Sequence, residues 1–169
     1  MASLGGDGRC VAERDGFGGR GAGTAGRVVI MSSAIDLHGA PHVARYLETD
    51  GEDGFHWRNG TEILILFTKG RKSGEERSHA LIFREHGDDY LVVASKGGTD
   101  APPAWFVNLQ ADPEVEVQIK GDRFPARARV ATPAEKPEMW ATMAEVWPDY
   151  DEYQKKTDRE IPVVVLERA

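Results

Sequence analysis

From about residue 61 onward, short apolar stretches are separated by polar turns. Thr61 to Thr68 is almost continuously apolar, which predicts a strand buried on both faces. Ser78 to Arg84 and Tyr90 to Ala94 are further strand-like runs, joined by the hairpin turn His86-Gly87-Asp88-Asp89. Glu114 to Ile119 alternates polar and apolar residues, the mark of a half-buried strand. Lys120-Gly121-Asp122 turns the chain into Arg123 to Val130, where Pro125 predicts a sheet edge or a bulge. Ile161 to Leu166 is the sixth and closing strand.

Helical spacing interrupts this series. Pro41 to Glu48 places Val43, Ala44 and Leu47 on one side. Ala104 to Gln110 forms a short helix, stopped by Asp112-Pro113. Thr132-Pro133-Ala134-Glu135 has the form of a helix start, with an N-cap, Pro at the first helical position and Glu at the third. The helix that follows carries Trp140, Met143, Ala144 and Trp147 on one face, and Pro148 interrupts it. Tyr150 to Lys156 adds a further turn or two. Tight turns between consecutive strands imply antiparallel pairing. Six such strands with few helices predict a mainly β (α+β) domain, a small barrel closed on itself with helices over its ends.

Residues 1–30 break the pattern. Nine of the 30 are glycine and the only apolar cluster is Val28-Val29-Ile30, so a disordered tail or an upstream start is expected, with the domain spanning 31–169. Two G-x-G-x-x-G matches fall here, Gly16 to Gly21 and Gly21 to Gly26. That fingerprint binds dinucleotides only between a strand and a helix. No strand precedes either copy, so neither counts. At 169 residues, one domain with a substantial core is expected. The net charge of -7 argues against a nucleic-acid partner. Cys10 is the only cysteine, which excludes an intrachain disulfide and a multi-thiolate metal site and favours a reducing, cytoplasmic setting.

Against that acidic background the cations of Gly70-Arg71-Lys72-Ser73-Gly74-Glu75-Glu76-Arg77 stand out. The loop is not a Walker A motif, because Arg71 separates Gly70 from Lys72 and a strand follows. Arg71, Lys72 and Arg77 could converge on a phosphate or carboxylate. The loop serves equally well as a hairpin whose charges face water. Ser95-Lys96-Gly97-Gly98 is a second glycine-rich loop bearing a cation, and two such loops favour a shared anion site. His38, His42, His56, His79 and His86 have no metal-ligand spacing, and His79 alone abuts the cationic loop. Ser73, Ser78 and Ser95 lack a nucleophile elbow. Trp140, Met143 and Trp147 are expected in the core, while Tyr150 and Tyr153 share a face suited to surface packing or to a pocket.

Taken in order, several pieces resemble the deazaflavin-dependent nitroreductase and quinone reductase family, whose members use coenzyme F420. They are Gly70 to Gly74 with Arg77, Val92 to Gly98, Pro103-Ala104-Trp105, Asn108-Leu109, Ala111 to Val115, Trp147 to Tyr153 and Thr157 to Pro162. The resemblance covers about residues 40 to 167. It implies a split β-barrel, like that of FMN-binding proteins, with F420 in a groove. Arg71, Lys72, Ser73 and Arg77 would hold the phosphodiester and oligoglutamate tail. Ser78 and His79 would line the groove. Val93, Ala94, Ser95 and Lys96 would lie along the deazaflavin, with Ala104, Trp105 and Asn108 closing the far wall. Trp147, Tyr150 and Tyr153 would border the substrate pocket. Phe106 stands where the family often has Tyr, Trp147 where quinone-reducing members commonly have Tyr, and Glu75 and Glu76 add negative charge to the cationic loop.

The implied activity is hydride transfer from reduced F420 to a flat, electron-poor acceptor such as a quinone, an enone or a nitroaromatic. Ser95, Tyr150 and Tyr153 are the candidates to supply a proton or hydrogen bond to the acceptor. No metal is called for. An FMN or FAD reductase on the same barrel, or a non-enzymatic carrier of F420, haem or biliverdin, are the rival readings. A homodimer stays open. So does peripheral contact with the inner face of a membrane, which would require residues 31–57 to lie on lipid despite a weak apolar face.

Overall fold

Strand β1 (Ile63–Lys69) lies inside the sheet and is buried on both faces, which explains its unbroken apolar run. It pairs antiparallel with β2 (Glu76–Ile82) on one side and with β5 (Glu114–Ile119) on the other. Ile63 to Phe67 are each no more than 3% exposed. In this computed structural model, which describes residues 37–169, the remaining strands are β3 (Arg84–His86), β4 (Asp89–Val93), β6 (Asp122–Val130) and β7 (Val163–Arg168). Their order in the single sheet is β2-β1-β5-β6-β7-β4-β3, and every pair is antiparallel. The Gly-rich stretch 1–30 and the start of the 31–57 segment lie outside the described residues.

The run expected as one strand over 78–84 is two. Ile82 pairs with Ile63 of β1, whereas Arg84 pairs with Leu91 of β4. Between them Phe83 is 2% exposed, and its amide donates to the Glu62 carbonyl at 3.1 Å. Strands adjacent in sequence therefore stand at opposite ends of the sheet. The sheet curls until the chain itself spans the gap at Phe83, and no ladder of hydrogen bonds closes it. The barrel is split along β2, as the family resemblance implies, rather than closed on itself as the strand count alone suggests, and it has seven strands where about six were expected. Pro125 also departs from expectation. It lies in β6, between β5 and β7, at the end where β7 pairing begins with Ala126 opposite Arg168.

Four helices flank the sheet: α1 (Gly39–Glu48), α2 (Ala104–Ala111), α3 (Lys136–Val146) and α4 (Asp149–Lys155). They divide the core into two clusters. Val92, Val164 and Leu166 face the barrel interior with β1, α1 and α2. Leu91, Val93, Val163 and Val165 face outward under α3 and α4. Strands β4 and β7 are thus apolar on both faces for the same reason as β1. Each fully buried aliphatic side chain contributes about 1.5–3 kcal/mol relative to exposure.

The reciprocal pair expected at Thr132 forms, but in the turn ahead of α3, which itself begins at Lys136. Glu135 N donates to Thr132 Oγ1 at 3.3 Å, and Thr132 N donates to Glu135 Oε2 at 2.9 Å. Arg129 also donates to both Glu135 oxygens, at 2.8 and 3.0 Å, and this chiefly holds the Glu135 carboxyl down to about 2. The buried stripe of α3 is Met139 and Met143, with Trp140 half-buried. Trp147 caps the helix end with φ -138 and still packs in the same buried cluster as Met143. Among the described residues no helix is long and apolar enough to cross a membrane, and no group of three or more His, Cys, Asp or Glu could hold a metal.

Candidate functional site

Where the barrel is split, a cavity of about 680 Å³ opens against β2. Ser78 to Ile82 form one side, and Val93 at the end of β4 forms part of another. Ser95, Lys96 and Gly97 meet it from the loop after β4, and Ala104 and Trp105 from the first turn of α2. Trp147, Tyr150 and Tyr153 enter from the α3–α4 region. Ten of the residues singled out in the sequence therefore share one space: Ser78, His79, Val93, Ser95, Lys96, Ala104, Trp105, Trp147, Tyr150 and Tyr153.

The loop after β4 is tightly built. Lys96, Gly97 and Gly98 all have positive φ, at 45°, 64° and 81°. For Lys96 this conformation costs about 1–2 kcal/mol and must be imposed by its surroundings. Arg159 imposes it. Its guanidinium donates to the Ala94, Ser95 and Thr99 carbonyls at 3.1–3.3 Å. Thr157 Oγ1 adds a bond to Asp100 at 2.7 Å. Gly98 packs on the backbone of α4 so closely that a Cβ there would lie 2.4 Å from the Tyr153 carbonyl oxygen. The loop and α4 thus form one unit, and the unit presents the Lys96 cation and the two tyrosines to the same cavity.

Tyr150 is 5% exposed, and burial pushes its phenol well above the ordinary value of 10, with Tyr153 adding to the effect. It stays protonated and remains a hydrogen-bond donor at any physiological pH. Tyr153 meets it edge-on at 6.2 Å, and Trp147 Nε1 lies 3.4 Å from the Tyr153 hydroxyl. On the β2 side His79 is half-buried, but its Nδ1 is sealed from water and has no hydrogen-bond partner. Burial lowers its pKa and favours the neutral ring. A buried nitrogen left unpaired costs about 1–3 kcal/mol, which the fold bears at this point of β2.

The other sequence candidates stand outside the cavity. The loop 70–74 is exposed, and its own backbone closes it: Gly70 N donates to the Glu75 carbonyl at 2.8 Å and Gly74 N to the Gly70 carbonyl at 2.7 Å. Arg71, Lys72 and Ser73 do not line the cavity, and Ser73 Oγ accepts from Glu75 N at 3.2 Å. Arg77 pairs with Glu75 at 2.9 Å, and Glu76 pairs with Arg123 at 2.8 Å. The two glutamates therefore engage arginines around the loop. Asn108 is not a pocket wall. It is 8% exposed, donates to Thr68 Oγ1 and accepts from Arg71 N, both at 3.2 Å, and so anchors the cationic loop from behind. Ala94 is fully buried and contributes only its carbonyl, which Arg159 holds.

Several lining residues were not among those the sequence pointed to for the site. Leu37 to Ala40, His42 and Val43 come from the start of α1, and Trp57 comes from the irregular segment before β1. That segment has no hydrophobic period, and Trp57 reaches the cavity by a turn in which Asn59 and Gly60 both have positive φ, at 56° and 74°.

A family model described as F420H(2)-dependent quinone reductase matches residues 40–168. An F420H(2)-dependent quinone reductase of Mycobacterium tuberculosis is 38% identical over 130 residues, covering 75% of this chain and 87% of its own length. A solved F420-H2 dependent reductase is 40% identical with a TM-score of 0.58, covering 62% of this chain and 93% of its own. A second solved relative, a domain-swapped dimer, is 39% identical with a TM-score of 0.61, covering 74% and 93%.

Proposed function

The chain belongs to the F420H(2)-dependent quinone reductase family, and from that premise we propose that it oxidises reduced coenzyme F420 and reduces a flat quinone in the split of the barrel. The observation that carries this reading is the gathering of two tyrosines, one of them buried, and a tightly held lysine loop into one largely apolar cavity. An extended aromatic ring with polar edges suits such a space.

Bound here, reduced F420 supplies a hydride. The chain's own residues bind and orient it and exclude water. Ser78, His79, Val93, Ser95 and Lys96 flank the ring, with Ala104 and Trp105 at the α2 wall. Arg71, Lys72, Ser73 and Arg77 would hold the anionic phosphodiester and oligoglutamate tail, with Asn108 keeping their loop in place. Quinone reduction consumes one hydride and one proton. Ser95, Tyr150 and Tyr153 are the groups able to donate at the acceptor oxygen, and Tyr150 is held in the donating form. Trp147 borders the acceptor.

Side-by-side titrations with F420, FMN and FAD test the cofactor. F420 should bind most tightly, and tighter binding of FMN would shift the reading to a flavin reductase. Loss of reduced-F420 absorbance on adding a quinone tests the reaction, and NADPH as sole donor should give none. Tyr150→Phe should lower turnover or change acceptor preference while leaving F420 affinity within about twofold. A homodimer is the assembly that the domain-swapped relative suggests, and sedimentation tests it.

A further inference from the structure

Two indoles meet in this cavity. Trp57 stacks on Trp147 with ring centroids 5.6 Å apart and an interplanar angle of 27°. They come from distant parts of the chain, one from the segment before β1 and the other from the junction of α3 and α4. Rings in contact leave no passage between them, and both rings line the cavity, so the pair forms one part of its wall. Trp57 is also the one side chain of its segment that packs against both hydrophobic clusters.

The Trp57 ring is fixed before any ligand arrives. Its Nε1 donates to the Leu37 carbonyl at 2.9 Å. His38 meets it edge-on at 5.3 Å, and the Arg58 guanidinium lies 5.1 Å from the ring centroid. Its backbone amide donates to the Thr61 carbonyl at 2.8 Å, and Gly60 N donates to its carbonyl at 3.1 Å. On the far side of the stack, Trp147 Nε1 reaches the Tyr153 hydroxyl at 3.4 Å. A continuous wall therefore runs from Leu37 through the two indoles to a phenol of the acceptor side.

We propose that Trp57 is a specificity-determining residue of this site: its indole, stacked on Trp147, sets how large a planar acceptor the cavity admits. This rests on the quinone reductase reading. A flat ring can lie against the indole face, whereas a longer fused system runs into it. A pre-fixed wall discriminates well because its position need not be reorganised on binding.

The test compares a monocyclic quinone, 2,3-dimethoxy-5-methyl-1,4-benzoquinone, with tricyclic 9,10-phenanthrenequinone. Trp57→Ala should raise the tricyclic-to-monocyclic ratio of kcat/KM by at least about fivefold, which is within what one hydrophobic contact can supply. Trp57→Phe should raise it less. F420 affinity should stay within about twofold in both. Calorimetric Kd values for the two quinones, measured without cofactor, should shift in the same direction. Trp57→Leu, which keeps bulk without the indole, substitutes if the alanine variant does not fold. An unchanged ratio in folded variants overturns the proposal, as does a loss of F420 affinity that matches the loss of activity. If the unsubstituted protein fails to bind F420, the functional reading falls, and the calorimetric ratio still decides the role of Trp57.

Discussion

The molecule carries two glycine-rich loops with cations, and they are built in opposite ways. The loop 70–77 is crowded with charge, exposed, and tied down mainly by its own backbone and by Asn108. The loop 95–100 carries a single cation, yet Arg159, Thr157 and the backbone of α4 hold every turn of it. Only the second lines the cavity. Density of charge in the sequence marks a place where an anion can rest, whereas depth of anchoring marks where a ring can be positioned.

That contrast is easiest to break at the glycines. Gly98→Ala sets a Cβ against the Tyr153 carbonyl oxygen at φ +81, and should cost more than about 3 kcal/mol in denaturant unfolding. Gly74→Ala, at φ +70 with nothing within 4 Å, should cost only about 1 kcal/mol. Equal costs would mean that the two loops are equally anchored. Arg159→Ala should cost about 1–2 kcal/mol, the scale of partly exposed charged hydrogen bonds, and should lower kcat/KM about tenfold or more. Arg159→Lys should restore stability further than it restores kcat/KM, because an ammonium cannot span three carbonyls. Lys72→Ala should leave the melting temperature unchanged and weaken F420 binding about threefold to tenfold at low salt, an effect that fades as salt rises. An F420 affinity that does not respond would remove the exposed loop from the site.

The smallest effect separates both loops from the rest of the barrel. Arg129 holds the Glu135 carboxyl near 2, below its ordinary 4.5. A depressed carboxylate contributes stability that is present above about 4.5 and is lost as pH falls through about 2. Glu135→Gln should flatten the acid limb of a melting-temperature profile in that window and leave F420 affinity at neutral pH untouched.

Much of this could be read from residues alone, and what escaped did so for physical reasons. The apolar run of β1 and the alternation of β5 are local signals, and both strands lie where they were expected. The corner at Phe83 is invisible to periodicity because residues on both sides of it are strand-like. What changes is the partner, from β1 to β4, and partners are not encoded in a single stretch. Asn108 was placed at the groove wall by the resemblance alone, and its side chain instead bonds Thr68 and the Arg71 amide behind the cationic loop. Trp147 is buried beside Met143 as its spacing implied, although α3 ends at Val146, whereas Met139, one turn before Met143 on the same stripe, was missed. Trp57 gave no signal because it lies in a segment without a period.

The position of β7 has a kinetic consequence. It lies between β6 and β4 and is the strand that joins the four-stranded side of the sheet to the β4–β3 hairpin. Both neighbours precede it by long stretches of chain, so the ladder that unites the sheet consists entirely of non-local pairings. Such pairings form late because loop-closure entropy must be met before they contribute. Refolding should therefore begin from the local β1–β2, β5–β6 and β3–β4 hairpins, with the β1–β5 ladder and the docking of Val163–Arg168 as the slow steps. Until that strand arrives, the walls of the cavity belong to different bodies, and affinity for any ligand should appear only with the slow phase.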